Sequence, residues 1–281
     1  MKAMKRWTAL VLAMAMALAL ASCGGGSQSA APAGSGSAAP AASGTAAPAD
    51  DGDPVYGGTF TTYWSEYYNE YDASANDNRN FIDLYCNSLW AVDVDKTDTS
   101  LCETLSVDQL KGSLAESWEV SDDFTTMTVK LRQGVNIADK TAVGIDAKYD
   151  IYGGRALTAA DVKYSYDRVL GLDGVEKVVM DQTDWAGSLY MIDSVEAPDD
   201  QTVIFHFNTN NEVQVNNFMI TVLNICGPEW DQLTDEQKTD YHYAGGTGAF
   251  ILTDYVSDNT MTFVANPNYW EKDADGKQLP Y

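Results

Sequence analysis

Between about Val55 and Tyr281 the sequence predicts an α/β body with more than one sheet, on three observations. Three pairs of strand-like runs, each joined by a short polar turn, mark three hairpins. A segment capped at Thr158 and ended at Gly171 marks a helix between the first two of them. The regular strand–helix–strand repeat of a parallel sheet is missing, so helices and hairpins are mixed rather than alternating.

In chain order, Gly58 to Tyr63 reads as a strand that feeds the run YWSEYYNEYD, Tyr63 to Asp72. Tyr63, Tyr67 and Tyr71 recur every fourth residue, as do Trp64 and Tyr68, which fits a helical turn. Phe81, Leu84, Tyr85 and Leu89 form a second helical face. Trp118-Glu119-Val120, the turn Ser121-Asp122-Asp123, and Met127, Val129 and Leu131 alternating with Thr126, Thr128 and Lys130 make a hairpin with one buried face. Thr158 with Asp161 three residues on is a capping box with Asp in place of Glu, and Val162, Tyr166 and Val169 line one face of the helix that follows. Ile192 to Glu196, the turn Pro198-Asp199-Asp200 and Thr202 to Phe207 make the second hairpin. Val213 to Ile225 reads as helix, and Phe250 to Tyr255 with Met261 to Val264 as the third hairpin.

The ends differ from this body. Lys2, Lys5 and Arg6 precede an apolar run from Trp7 to about Ala21, the layout of an export signal, expected over residues 1–22. Leu20-Ala21-Ser22-Cys23 resembles the lipobox of bacterial lipoproteins, which implies acylation of Cys23 and a hold on the membrane without a span. Residues 23–55 are almost all Gly, Ser, Ala, Pro and Thr, a composition with nothing to bury, and are expected to be a disordered tether. At the other end the polar turn EKDADGKQ leads to Leu279-Pro280-Tyr281, which reads as the approach to a further strand and raises the expectation of truncation.

The chain carries 17 Lys and Arg against 41 Asp and Glu, a formal charge of −24, and removal of the signal makes the balance more negative. That excludes nucleic acid as a partner, because phosphate recognition depends on cations. Apart from Cys23 there are three cysteines, Cys86, Cys102 and Cys226: either one local disulfide, Cys86 with Cys102, or three thiols. No Cys/His cluster points to zinc, and no metal or other cofactor is expected. Asp93 to Asp98 and Asp273 to Gly276 resemble the start of calcium loops but lack the closing glutamate, and read as solvated acidic turns. Gly245-Gly246-Thr247-Gly248 lacks the lysine of a phosphate loop, so its glycines are read as permitting close backbone passage. Two histidines, His206 in an apolar strand and His242 in Tyr241-His242-Tyr243, come without a nucleophile elbow or zinc motif, so the chain is not expected to be an enzyme.

Five segments in order carry a resemblance. Gly112 to Asp123 is similar to "LAESWEVSDDG", Lys130-Leu131-Arg132-Gln133-Gly134-Val135 to "KLRkGV", and Leu157 to Val162 to "LTAeDV". Gly246-Thr247-Gly248-Ala249-Phe250 is similar to "GTGPY" and Asn266-Pro267-Asn268-Tyr269-Trp270 to "NPdYW". The chain thus resembles the extracellular solute-binding proteins, family 5, of dipeptide, oligopeptide and nickel ABC importers, over Tyr56 to Tyr281 but only about the first half of a usual member. Inside the match, the family's "FHDG" appears as Ile137-Ala138-Asp139-Lys140, an extra loop runs from about Thr141 to Arg155, and Ala249 stands where proline is common.

The resemblance implies a periplasmic-binding-protein-like α/β fold, type II of the large three-domain subclass, with the second lobe missing. Lobe I is expected at about 56–85 and 208–281, and a small second domain at about 86–207. The loop after the first strand would reach the cleft, which makes Tyr63, Trp64, Ser65, Tyr67 and Tyr68 the expected ligand wall. Glu66 and Glu70 are placed to meet a ligand amine, and Gly246, Thr247 and Gly248 to complete the site. The implied function is a lipid-anchored, monomeric receptor, outside the cytoplasm, that captures a peptide or similar small solute for ABC permease subunits. Two alternatives stand beside it: a surface adhesion lipoprotein using the aromatic run as a patch, and an extracellular hydrolase with a carboxylate pair.

Overall fold

The computed structural model describes residues 55–63, 71–74, 79–97, 105–175, 189–221, 223–257 and 259–281. The elements in order are α1 (Arg79–Tyr85), β1 (Trp90–Val92), β2 (Leu110–Gly112), β3 (Ala115–Val120), β4 (Thr126–Leu131), α2 (Ala159–Leu170), β5 (Ile192–Asp199), β6 (Thr202–Phe207), α3 (Glu212–Ile220), α4 (Asp235–Lys238), β7 (Phe250–Val256) and β8 (Thr260–Ala265). One sheet has four antiparallel strands in the order β3-β4-β6-β5, and β1-β2 and β7-β8 are two-stranded. The prediction of α/β structure on more than one sheet holds.

Alternation sets the register of the large sheet. Trp118, Val129 and Val203 lie side by side across three strands, as do Met127, Phe205 and Val195, so one face is continuously apolar. That face is covered by α2 and α3. The α2 start is as expected: Thr158 and Asp161 form the reciprocal capping box, and Gly171 closes the helix at φ 70°. Phe218 of α3 meets four rings, Trp90, Tyr166, Phe205 and Phe207, at 5.0 to 5.9 Å. The β3–β4 turn puts Phe124 at φ 56°, a left-handed residue fixed by Asp123, whose Oδ1 accepts from Ser121 Oγ at 2.7 Å and Thr125 Oγ1 at 2.8 Å.

A second cluster lies elsewhere. Tyr71, Ala73, Phe81, Ile82, Tyr85, Cys86, Cys226, Trp230, Tyr243, Ala244 and Leu252 are buried together. Most of them sit on short turns, so two arginines supply the cross-links. Arg168 grips Asp72 with Nη1 at 2.9 Å and Nη2 at 2.5 Å, and donates from Nε to Asp231 at 2.9 Å. Arg155 binds Asp161 bidentately at 2.7 and 2.9 Å and Glu229 at 2.6 and 2.8 Å. Burial raises the Asp231 carboxyl, but Arg168, Tyr164 and Lys238 outweigh it and hold it below the ordinary range.

Three expectations are corrected. Gly58 to Tyr63 is not a strand: among the described residues it has no ladder partner, and Phe60 and Tyr63 are exposed at 90% and 87%. The helix from Phe81 ends at Tyr85, Leu84 is on its outer side, and Leu89 is buried from the loop before β1. The chain turns because the Asn87 carbonyl accepts Ile225 N–H at 3.0 Å instead of continuing the helix. Finally, α3 stops at Ile220 rather than Ile225; a β-branched run follows, and Thr221 turns its hydroxyl back to Asn217 O at 2.9 Å.

Candidate functional site

Of the expected site residues, the structure describes Tyr63 and Gly246, Thr247 and Gly248; Trp64, Ser65, Glu66, Tyr67, Tyr68, Glu70 and the lipidation residue Cys23 lie outside the described residues. Tyr63 stands exposed, whereas Tyr71, the last ring of the same run, is core. The turn itself is built into the body. A Cβ on Gly246 would come 2.6 Å from Tyr85 O, and one on Gly248 2.6 Å from Tyr85 Cα, so only glycine lets the backbone lie on the end of α1. Thr247 is 1% exposed and donates from Oγ1 to Asn87 Oδ1 at 3.0 Å.

Asn87 is the junction of the site. Its Oδ1 also accepts from Trp270 Nε1 at 3.3 Å, and the Trp270 ring carries the Arg132 guanidinium 5.0 Å from its centroid. Asn266 holds the exit of the turn, donating from Nδ2 to Gly248 O at 3.0 Å and from its amide to Ala249 O at 2.8 Å. The "NPdYW" and "GTGPY" resemblances are therefore one packed unit in space. Nothing in the local sequence marks Asn87, because its partners lie 160 and 183 residues away in the chain.

The entry to the turn is held by the stretch that departs from the family pattern. Ala138 N–H donates to Gly246 O at 2.9 Å. Lys140 Nζ donates to Ala244 O at 2.8 Å, Tyr149 O at 3.2 Å and His242 O. Burial pulls the Lys140 amino group down to about 8, against Asp150 and Asp240, which push it up. His242 is stacked between Tyr149 at 4.4 Å and Tyr241 at 3.9 Å, and its Nδ1 faces Asp240 at 2.6 Å. His206 lies on the outer face of the sheet against Glu196 at 3.1 Å.

Cys86 and Cys226 are buried free thiols, and Cys86 donates to Gly245 O at 3.7 Å. The structure thus shows a thiol, not a disulfide, at Cys86; Cys102 is outside the described residues. Burial pushes Cys226 up to about 12 and Cys86 well above its ordinary value, which favours the protonated thiol at both. Among the described residues no three His, Cys, Asp or Glu converge as metal ligands. The Asp273 carboxylate accepts the amides of Asp275 at 3.0 Å and Lys277 at 2.7 Å, a self-contained acidic turn. What the arrangement offers is hydrogen bonds, rings and a rigid backbone turn.

With this geometry in hand, the comparisons with known proteins are specific. The family described as "Bacterial extracellular solute-binding proteins, family 5 Middle" matches residues 109–281. The chain is 27% identical over 169 residues to heme-binding protein A of Haemophilus influenzae, covering 58% of this chain and 29% of that protein. It is 29% identical over 167 residues to di/tripeptide-binding protein 1 of Pseudomonas aeruginosa, covering 57% and 30%. Among solved structures it is similar to HbpA2 from Haemophilus parasuis, with TM-score 0.52 and 26% identity over 73% of this chain and 38% of that one. A dipeptide binding protein from Pseudoalteromonas in complex with Met-Leu shares the fold, with TM-score 0.55 and 18% identity over 73% and 39%. The chain spans about a third of the length of these relatives. The family pattern covers more than half of the chain, and the structures agree with it on the α/β binding-protein fold: the chain belongs to the bacterial extracellular solute-binding proteins of family 5.

Proposed function

We propose that this chain acts in solute capture for an ABC importer, taking a peptide or similar small solute outside the cytoplasm and handing it unaltered to the permease subunits. Membership of family 5 carries the reading, and relatives named for di- and tripeptides favour peptides within it. Tyr63, Trp64, Ser65, Tyr67 and Tyr68 form the ligand wall, with Gly246, Thr247 and Gly248 as its rigid base. Rings suit a peptide because they bury apolar area at small entropy cost while their polar tips meet backbone amides. Residues 56–85 and 208–281 make lobe I and residues 86–207 the small domain. Acyl chains on Cys23 hold a monomer at the membrane, and the 23–55 tether gives it reach.

Ligand linkage supplies the test. A peptide at about a hundred times its Kd stabilises the folded state by about 2.7 kcal/mol, equivalent to a rise of about 5–10 °C in Tm for a domain of this size. Di- to pentapeptides screened against sugars, heme and nickel should give such a rise with a peptide. A screen in which no peptide moves Tm and another class does removes the peptide assignment.

A further inference from the structure

Residues 137–155 form an excursion between β4 and α2 with a closed base, where Ile137 N–H donates to Arg155 O at 2.9 Å and Asn136 bridges Ala156. The excursion is itself ordered: Asp139 caps one 3-10 turn by accepting Thr141 N–H at 2.9 Å, and Asp146 caps the next by accepting Lys148 N–H at 3.1 Å. It lies along residues 241–246. Tyr149 stacks on His242 and meets Tyr243 edge-on at 5.2 Å, and Tyr152 is the ring a Cβ at Gly245 would touch at 3.6 Å. The carbonyls of residues 242, 244 and 246 are taken in alternation by Lys140 Nζ, Lys140 Nζ and Ala138 N–H.

An ammonium buried to 1% exposure is costly, and it persists only where its three donors are met. Here three backbone carbonyls converge on it, two from the approach to the glycine turn and one from Tyr149. A backbone segment with no sheet partner is ordinarily free to change its dihedrals. Tied at alternate carbonyls, this one is fixed by contacts separate from the Tyr85–Asn87 contact.

We propose that Lys140 is the positioning residue of the Gly246-Thr247-Gly248 turn, its ammonium holding the approach to that turn in one conformation so that the turn is preorganised for ligand. This rests on the reading of the turn as part of the solute site. The sequence change from the family's "FHDG" and the added loop are then one device: the loop supplies Tyr149 and Tyr152 as a backing, and Lys140 locks them to the turn.

Hydrogen–deuterium exchange on the full chain decides it, with Lys140→Met and Lys140→Arg beside the wild type. The Met variant should exchange about tenfold faster or more in residues 241–248, the effect of losing one or two net hydrogen bonds. Residues 126–131 and 202–207 should be unchanged, and Arg should restore part of the protection. Equal exchange in wild type and Met variant overturns the proposal, as does an increase of equal size in the sheet. If the Met variant does not fold, the wild type suffices. Opening of the clamp frees the amine and returns it from about 8 toward its ordinary value, so the open form holds a proton that the clamped form lacks; protection of 241–248, corrected for the intrinsic rate, should rise between pH 7 and 9.5, and a fall or a flat profile refutes the clamp. The charges that act on the amine are Asp150 on its own loop and Asp240 opposite; comparison with the Arg variant, whose guanidinium does not titrate here, removes their contribution. A parallel melting titration with Met-Leu separates the two readings. A rise in wild type that is lost in the Met variant supports positioning, and an equal rise in both overturns it. No rise in wild type counts against the peptide assignment and leaves exchange to decide Lys140.

Discussion

Phe218 and Arg168 are both fully buried, yet Phe218 is surrounded by rings and Arg168 by carboxylates. Around Phe218 the large sheet supplies a continuous apolar face, and two helices close over it. Arg168 reaches from α2 to partners with little regular structure: Tyr71 to Ser74 and the 3-10 turn Pro228–Gln232 are gathered by directional bonds. Dispersion and hydrophobic burial tolerate a change of shape at constant volume. A buried cation does not tolerate the loss of its charge, because its partners remain behind. Turns carry ligands more often than sheets do, and it is the second region, not the first, that borders the glycine turn.

The largest effect expected is therefore at Arg168. Arg168→Met keeps most of the volume but leaves two partly buried carboxylates that the guanidinium had neutralised, at a cost of about 3–5 kcal/mol. Phe218→Met, an equally volume-conserving change, should cost about 1–2 kcal/mol, a packing loss plus part of the ring–ring contribution. Urea denaturation of both variants gives the comparison directly. Equal losses would mean that the two cores are held by the same physics and would break the distinction.

The same distinction explains what could be read from sequence. Met127, Val129 and Leu131 advertise the hairpin by period two, and Thr158 with Asp161 advertises the α2 start, because both signals are complete within a few residues. The second region has no such signature. Arg168 and Asp72 are 96 residues apart, and Trp230 donates to Asp72 across 158. Charged residues in an acidic chain look like solvated surface until the fold brings them together. The site divides likewise: the glycines of 245–248 stood out by type, while Lys140, Asn87 and Asn266 gained their roles only from distant partners. Gly58 to Tyr63 is not a strand because β-favouring residues such as Thr, Phe and Tyr mark a capacity for pairing, and pairing needs a neighbour.

Lys140 offers a smaller effect that tests whether the cation-held region carries its own pH dependence. Its folded value of about 8 lies below the ordinary lysine value of 10.5. Between the two, the unfolded chain holds a proton that the folded chain does not, so this group destabilises the fold at pH 8 and below, and its penalty is relieved as pH rises toward 10.5. The slope is at most about 1.4 kcal/mol per pH unit. Cys86, Cys226 and Tyr85 act oppositely, since burial raises all three and the unfolded chain loses their protons first. The difference between wild type and Lys140→Met, measured by urea denaturation from pH 7.5 to 9.5, isolates the lysine. Wild type should gain on the variant as pH rises, and a constant difference would mean that the carbonyls hold the ammonium charged throughout.

The smallest effect belongs to the outer face of the sheet, where charge is as plain as around Arg168 but solvent reaches it. His206 and Glu196 face each other across β5 and β6 at 3.1 Å, with side chains 37% and 59% exposed. Water and salt screen such a pair, and holding two side chains together costs entropy that offsets the attraction. Glu196→Gln should therefore stay within about 0.5 kcal/mol of wild type from pH 5 to 8. Its contrast with Arg168→Met, a loss of charge at similar bond lengths, isolates burial as the variable. A loss above about 1 kcal/mol at Glu196 would mean that ion pairs in this chain are strong wherever they occur, and the division between its two regions would then rest on apolar packing alone.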